Sequence, residues 1–290
     1  MKRVLVTGGA GSIGIDLSRR LSENGFLVRV LDLPVCDFSG IAGVDGVEVI
    51  SGDITREDDL KKALPEVDTV VHLAALLPPK SEEDEKITHL VNVRATQTLI
   101  EMLNQTPSIH VVFASSVTIY GDTTGENPPI AATHAGNPKS IYARSKIEAE
   151  HIIRSSNCPY TILRISGISI PAFMEPPEVW PFTSEQRMEF INRSDVVTAI
   201  FQSILREQAR KTVFNIAGGP SWQMKGKEYV QAIFDLMGVA VEEAVYQENP
   251  GSFDWYDTSQ SQSILGYQET PFPRFLHLFE QAVAAFMSDG

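Results

Sequence analysis

Short runs of β-branched and apolar residues recur along the chain, separated by segments in which apolar residues return every three or four positions. The runs are VLV at 4–6, LVRVL at 27–31, VEVI at 47–50, DTVVHL at 68–73, IHVVFA at 109–114 and TVFNI at 212–216. Mostly apolar runs of this length, rather than strict alternation, are what strands buried on both faces of a parallel sheet show. Between the runs, Ile13, Leu17 and Leu21 predict a helix beginning near Gly11, and a short charged helix is predicted from about Arg56 to Ala63. A long helix is predicted over roughly 82–104, with Ile87, Leu90, Val91, Leu99 and Met102 as its apolar stripe. Residues 121–140, rich in Gly, Pro, Asn and Thr, predict a loop leading into a helix that carries Tyr142 and Lys146. Ser194 is the expected N-cap of a helix running from Asp195 to about Arg206, which gives Asp195 a structural role. Strands alternating with helices through short connections predict an α/β fold with a doubly wound parallel sheet.

Composition changes this picture little. The 290 residues suffice for one large domain, or one domain with a lobe, and the 43% hydrophobic and 21% charged fractions are ordinary for a globular protein. A net charge of −13 counts against a nucleic-acid or anionic-membrane partner. The apolar run after Lys2 and Arg3 is broken by glycines too early for a signal peptide, and no run approaches transmembrane length. Cys36 and Cys158 lie far apart, and neither they nor the histidines show metal-like spacing. A reducing, cytoplasmic setting and no metal are therefore expected.

The candidate chemistry starts where the first strand meets Gly8-Gly9-Ala10-Gly11-Ser12-Ile13-Gly14. Strand, glycine turn and helix in that order form the setting that a dinucleotide fingerprint requires. Gly8 allows the tight turn, Gly11 close backbone approach to a pyrophosphate, and Gly14 close helix–strand packing. Ser12 and Ile13, at the helix start, offer N–H groups to the phosphates. Asp32 ends the second strand about twenty residues further on, where a carboxylate binds the adenosine ribose hydroxyls and repels a 2′-phosphate. Leu33-Pro34 supplies no arginine to offset that charge, so NAD rather than NADP is expected; the plainer role for Asp32 is a loop cap. Ala74-Ala75 suits either a close pass beside the cofactor or simple tight packing. Ser115-Ser116 closes the fifth strand, and the carboxyl ends of strands line the ligand crevice of an open α/β sheet. Tyr142 and Lys146, at i and i+4, share a helix face. A cation there favours the phenolate, so a depressed tyrosine pKa and proton transfer near neutral pH are expected.

TGGAGSIG at 7–14, Gly52-Asp53-Ile54, HLAA at 72–75, NVRAT at 92–96, SSVTIYG at 115–121 and YARSK at 142–146 stand in an order that resembles one family. This is the NAD-dependent epimerase/dehydratase family of extended short-chain dehydrogenase/reductases. The likeness runs from Lys2 to about Gly219, with weaker echoes at Asp257-Thr258 and Leu265-Gly266-Tyr267. The resemblance implies an NAD-binding Rossmann domain over 1–165 and a small C-terminal substrate lobe over 166–290, with 190–217 returning to the Rossmann domain. It also implies a homodimer built on the two long helices. Residue by residue, it implies Tyr142 as catalytic acid/base and Ser116 as the hydrogen-bond partner of the reacting substrate oxygen. Lys146 would bind the nicotinamide ribose and lower the tyrosine pKa. Asp53 and Ile54 would hold the adenine, Leu73, Ala74 and Ala75 the middle of the cofactor, and Asn92 would support the lysine through water. Without the family, Asn92 reads as a solvent-facing helix residue.

Departures from the family narrow the expected reaction. Nucleotide-sugar enzymes of the family commonly carry Arg-x-x-Asn-x-Tyr-Gly-Pro after the sixth strand, whereas this chain reads Arg164-Ile-Ser-Gly167-Ile-Ser169-Ile170-Pro171. The stretch from there to FINRSDV at 190–196 is short for the family. Ser116 is followed by Val117-Thr118 where dehydratases tend to have Asp-Glu, which disfavours sugar dehydration. The expected activity is hydride transfer at a carbinol of a sugar or nucleotide sugar, a small-molecule substrate. The alternatives are a net NAD-dependent dehydrogenase or reductase of a small non-nucleotide substrate, and a non-catalytic NAD-binding regulatory protein. Trp180, Phe182, Trp255 and Tyr256 suit either stacking on a ligand or packing of the lobe.

Overall fold

The computed structural model describes residues 1–106 and 108–289. β1 (Arg3–Thr7) turns into α1 (Ser12–Glu23), followed by β2 (Leu27–Asp32), β3 (Val47–Ser51), α2 (Glu57–Ala63) and β4 (Thr69–His72). Then come α3 (Glu85–His89), a π-helical turn (Leu90–Arg94), α4 (Ala95–Leu103), β5 (His110–Ser116), α5 (Ile141–Arg154) and β6 (Tyr160–Ile165). The remainder holds the two-residue β7 (Ile168–Ser169), β8 (Arg187–Glu189), β9 (Ile191–Asn192), α6 (Arg193–Leu205), β10 (Thr212–Ile216), β11 (Gln223–Lys225), α7 (Gly226–Met237), α8 (Ser259–Leu265) and α9 (Phe272–Asp289).

Seven parallel strands form the central sheet in the order β10-β6-β5-β4-β1-β2-β3. The order reverses between β1 and β4, and ligands of doubly wound sheets bind beyond the strand ends at such a switch point. Neighbouring residues of β1 serve opposite layers, as the two-residue period of a strand requires. Val4 and Val6 pack with Leu17 and Leu21 of α1 and with Val196 and Ile200 of α6. Leu5 packs with Leu60 of α2, Leu99 and Ile100 of α4, and Ile153 of α5. Helices on both faces explain why the strands read as nearly continuous apolar runs.

The lobe pairs β8 with β11 and β7 with β9 around an aromatic core that includes Trp180, Phe182, Trp222, Tyr229, Phe234 and Phe275. Tyr256 is buried in an adjoining cluster with Tyr120, and the half-buried Trp255 donates its indole N–H to the Met224 carbonyl at 3.2 Å. For Trp180, Phe182 and Tyr256, packing is therefore the explanation that the structure supports.

Two predicted helices differ in detail. The helix expected over 82–104 starts at Glu85, where the Asp84 carboxylate accepts the Lys86 and Ile87 amides at 2.8 and 3.1 Å, and the π turn interrupts it. The π turn changes the helical phase, so Ile87 and Leu90 are 51% and 50% exposed while Leu99 is buried. α6 starts at Arg193 with Asn192 in the cap position, not Ser194; Ser194 Oγ lies in its first turn and accepts from Asn192 Nδ2 at 2.7 Å. Asp195 has the structural role expected of it, accepting the Thr270 amide and hydroxyl at 3.0 and 2.8 Å and so tying α6 to the start of α9.

Candidate active site

Eleven of the sequence-predicted residues meet in one cavity of about 790 Å³ at the switch point. They are Gly8, Gly11, Ser12, Ile13, Gly14, Asp32, Asp53, Ile54, Leu73, Ala74 and Ala75. Gly8 has φ 70°, and a Cβ there would stand 2.6 Å from the Ala74 amide nitrogen, so turn and close approach both require glycine. A Cβ on Gly14 would reach 2.5 Å from Gly9 Cα, which accounts for the tight seat of α1 on the turn. The first amides of α1 lack intrahelical acceptors and lie at the cavity wall, and its first turn carries no acidic residue. That arrangement suits an anionic group.

Asp32 has the loop-cap role, at a place where it also faces the cavity. Its carboxylate caps the turn, accepting the Ala10 amide at 3.0 Å and the Leu33 amide at 2.8 Å, and it also lines the cavity. Cys36 Sγ stands 3.4 Å from the same carboxylate. Asp53 turns its carboxylate to the Thr55 amide and hydroxyl, both at 2.8 Å, and Ile54 is largely buried in the core of the α2 layer. The edge they present is therefore shaped by local turn bonds. Ala74 shows the tight packing, its backbone close against Gly8, and it lines the cavity.

The other four predicted residues, Asn92, Ser116, Tyr142 and Lys146, lie outside that lining and are buried. Asn92 is not solvent-facing, because the π turn directs it inward. Its side chain accepts the Leu76 amide at 2.7 Å and donates to the Leu76 carbonyl at 3.0 Å and to Ser145 Oγ at 2.9 Å. Ser145 Oγ in turn donates to the Tyr142 carbonyl at 2.7 Å. This direct chain was not legible beforehand, although Ser145 lies inside the YARSK motif.

Ser115 and Ser116 separate by strand alternation. Ser115 Oγ points into the α5 layer and donates to Glu150 at 2.5 Å, while Ser116 Oγ accepts from the Thr118 amide and hydroxyl at 3.2 and 3.0 Å. Lys146 Nζ donates to the Ala114 carbonyl at 2.8 Å and sits 5.6 Å from the Tyr142 ring centroid. Burial pushes the Tyr142 phenol above its ordinary pKa, with the neighbouring Ser116 hydroxyl pulling the other way. Burial also brings Lys146 down to about 8, opposed by Glu150. The expected depression of the tyrosine pKa by Lys146 is thus corrected. The ammonium addresses a carbonyl and ring faces, and desolvation of the phenol dominates.

His72 is a further residue that sequence reading missed. Fully buried at the end of β4, it bridges the hydroxyls of Thr7 at 2.7 Å and Thr96 at 2.9 Å, and burial, reinforced by Lys146, lowers its pKa to about 3. It is a neutral strut between β1 and α4. Among the described residues no cluster of three or more His, Cys, Asp or Glu could hold a metal ion, and no helix is long and apolar enough to cross a membrane.

The profile of the NAD dependent epimerase/dehydratase family matches residues 4–174. The chain belongs to this family. NAD is the cofactor on which the family depends. D-erythronate dehydrogenase of Cupriavidus necator is 33% identical over 185 residues, covering 58% of this chain and 55% of its own. A putative UDP-glucose 4-epimerase of Methanocaldococcus jannaschii is 34% identical over 173 residues, covering 57% and 55%. The chain spans about half the length of these curated relatives. Among solved structures, MoeE5 in complex with UDP-glucuronic acid and NAD superposes with a TM-score of 0.82 at 26% identity, covering 98% of this chain and 99% of that one. A short-chain dehydrogenase/reductase superfamily protein of Agrobacterium tumefaciens with bound NAD shares the fold at the same TM-score and 22% identity, covering 99% and 98%.

Proposed function

We propose that this chain catalyses NAD-dependent hydride transfer at a carbinol carbon of a sugar or nucleotide sugar, with Tyr142 as the acid/base. The observation that carries the reading is the burial of Ser116, Tyr142 and Lys146 together at the carboxyl end of β5, joined through Ser145 and Asn92 to Leu76 in the wall of the cavity lined by the glycine turn. The cavity volume falls in the roughly 300–1,000 Å³ range of small-molecule sites. Its bare helix N-terminus and the Asp32 carboxylate suit a pyrophosphate and a ribose at separate places. NAD, when bound, supplies the hydride acceptor or donor. The chain's residues do the rest: the α1 amides hold phosphate, Asp32 the adenosine ribose, Asp53 and Ile54 the adenine, and Leu73 to Ala75 the middle. Lys146 holds the second ribose, supported by Asn92. Ser116 hydrogen-bonds the substrate oxygen, and Tyr142 moves the proton at that oxygen. Dehydration is disfavoured because neither Val117 nor Thr118 can supply a carboxylic acid. The homodimer implied by the resemblance belongs to the same proposal; the half-exposed Ile87 and Leu90 line the cavity.

A second reading, net oxidation or reduction of a small non-nucleotide substrate, draws on two features. A Cβ on Gly167 would stand 2.4 Å from the Phe190 ring, so that ring fills the space where the family's asparagine side chain would begin. The guanidiniums of Arg164 and Arg187 are taken up by Glu150 and Asp254, whereas a nucleotide diphosphate calls for available cations. Incubation with D-erythronate and other aldonates, and separately with UDP-glucose, distinguishes the readings. Accumulating NADH marks a net dehydrogenase, and interconverted sugar without NADH marks an epimerase. Tight NAD binding with no hydride exchange against any carbinol tested would sink both.

Cofactor preference follows from Asp32. NAD is expected to bind at least about tenfold tighter than NADP, equivalent to about 1.4 kcal/mol, through lost ribose hydrogen bonds and charge repulsion. Calorimetry with both dinucleotides checks this; equal affinities would leave Asp32 as a turn cap alone.

A further inference from the structure

The N-terminus of α5 is closed by a side chain from a distant part of the sequence. Glu82, in the 3-10 turn Lys80–Glu82, accepts the Ile141 amide through Oε2 and the Tyr142 amide through Oε1, both at 2.9 Å. Ser140 Oγ takes the Ala143 amide at 3.0 Å. The first three amides of α5, which the helix cannot satisfy itself, are thus all held by side chains. At the other end of the same residue, the Tyr142 carbonyl is tied through Ser145 and Asn92 to Leu76. Leu76 and Glu82 bound a single segment whose first residues line the cofactor cavity. Ser81, fully buried, fixes the turn by accepting the Thr88 hydroxyl at 2.8 Å on its carbonyl.

We propose that Glu82 is a positioning residue for Tyr142: its two-oxygen grip sets the first turn of α5 and hence the phenol, and its charge offsets the helix end beside that phenol. The inference rests on the reading of Tyr142 as acid/base. A helix N-terminus is equivalent to about half a positive charge and favours a nearby anion. Without Glu82, that field acts on Tyr142 unopposed. The other groups around the tyrosine are Lys146 on its own helix and the uncharged Ser116 from β5, with Glu150 acting on Lys146 from one turn beyond it. The exposed pairs Arg144–Glu85 and His89–Glu148 join α3 to α5 further out, at 3.1 and 3.4 Å.

Phenolate absorbance, titrated in the NAD complex and differenced against Tyr142→Phe, reads the effect without a substrate. Glu82→Gln is expected to lower the Tyr142 midpoint by about half a pH unit with NAD affinity unchanged, while Glu85→Gln leaves the midpoint in place. Glu82→Asp keeps the charge but shortens the reach. It is expected to lower kcat about tenfold at constant KM for NAD, on whichever substrate answers in the NADH or sugar-interconversion assay. An unmoved midpoint in Glu82→Gln overturns the proposal and leaves Tyr142 as acid/base. Should that variant not fold, an unchanged kcat in Glu82→Asp overturns it. Near-normal turnover in Tyr142→Phe overturns both readings at once.

Discussion

Tyr142→Phe is expected to bind NAD as the parent does and to turn over roughly two to four orders of magnitude more slowly, the range for losing a general acid/base. The substitution keeps the buried ring against Lys146 and removes only the exchangeable proton. Ser116→Ala is expected to lose less, since one hydrogen-bond partner goes while the proton route remains. The raised phenol pKa sets the range of the pH dependence, and the proposed base role sets its sign. With Tyr142 as the proposed base of alcohol oxidation, the oxidative rate is expected to climb about tenfold per pH unit below its pKa. Reduction uses the protonated phenol and lacks that rise. Stopped-flow rates in both directions across pH test this, and near-normal turnover in Tyr142→Phe would remove Tyr142 from the chemistry.

Arg164→Met is expected to cost about 3–5 kcal/mol of stability, a large part of the roughly 5–15 kcal/mol that holds a typical domain. Arg164 lies on β6 beneath the site and grips Glu150 with both Nε and Nη2, at 3.0 and 2.7 Å. Its remaining bonds go to the Tyr120 hydroxyl at 3.0 Å and the Ala132 carbonyl at 2.8 Å. Glu150 is only 1% exposed, so without Arg164 its charge is left among apolar neighbours with the Ser115 hydroxyl. Lys146, one turn before it, attracts Glu150 through space but hydrogen-bonds the Ala114 carbonyl and not the carboxylate, so it replaces only part of what Arg164 supplies. Adding Glu150→Gln to Arg164→Met is expected to recover part of the loss, since the orphaned charge is then gone. Urea unfolding midpoints measure both steps. A loss under about 1 kcal/mol in the single variant would show that water reaches the pair.

The sheet and the cavity at its switch point were legible because they are written locally. Continuous apolar runs, a strand followed at once by glycines, and an acidic residue at the end of β2 each fix their place in the fold over a few positions. A sequence is silent where a role depends on distant packing. Ser115 and Ser116 look alike, yet strand alternation sends one to Glu150 and leaves the other beside Tyr142. The apolar stripe of the long helix was read in one phase, and the π turn shifts that phase so that Asn92 is buried and Ile87 exposed. A sequence shows the lysine one turn from the tyrosine but not the desolvation around the phenol, which here pushes its pKa up. Glu82 carried no signal at all, standing in a run of exposed acidic residues with its target far along the chain.

The place of β10 at the edge of the sheet bears on how the protein is made. β1 to β6 occupy consecutive stretches of chain and complete their mutual pairing by Ile165, while Thr212 to Ile216 of β10 must return across the intervening lobe segment to lie along Thr161 to Ile165. Domains emerge from the ribosome N-terminal end first, at about 5–20 residues per second. For the seconds between synthesis of β6 and of β10, the nascent sheet presents the backbone edge of β6 unpaired. An unpaired strand edge templates pairing between chains. The nascent sheet is therefore open to misassembly along β6 until the last strand of the central sheet has been translated.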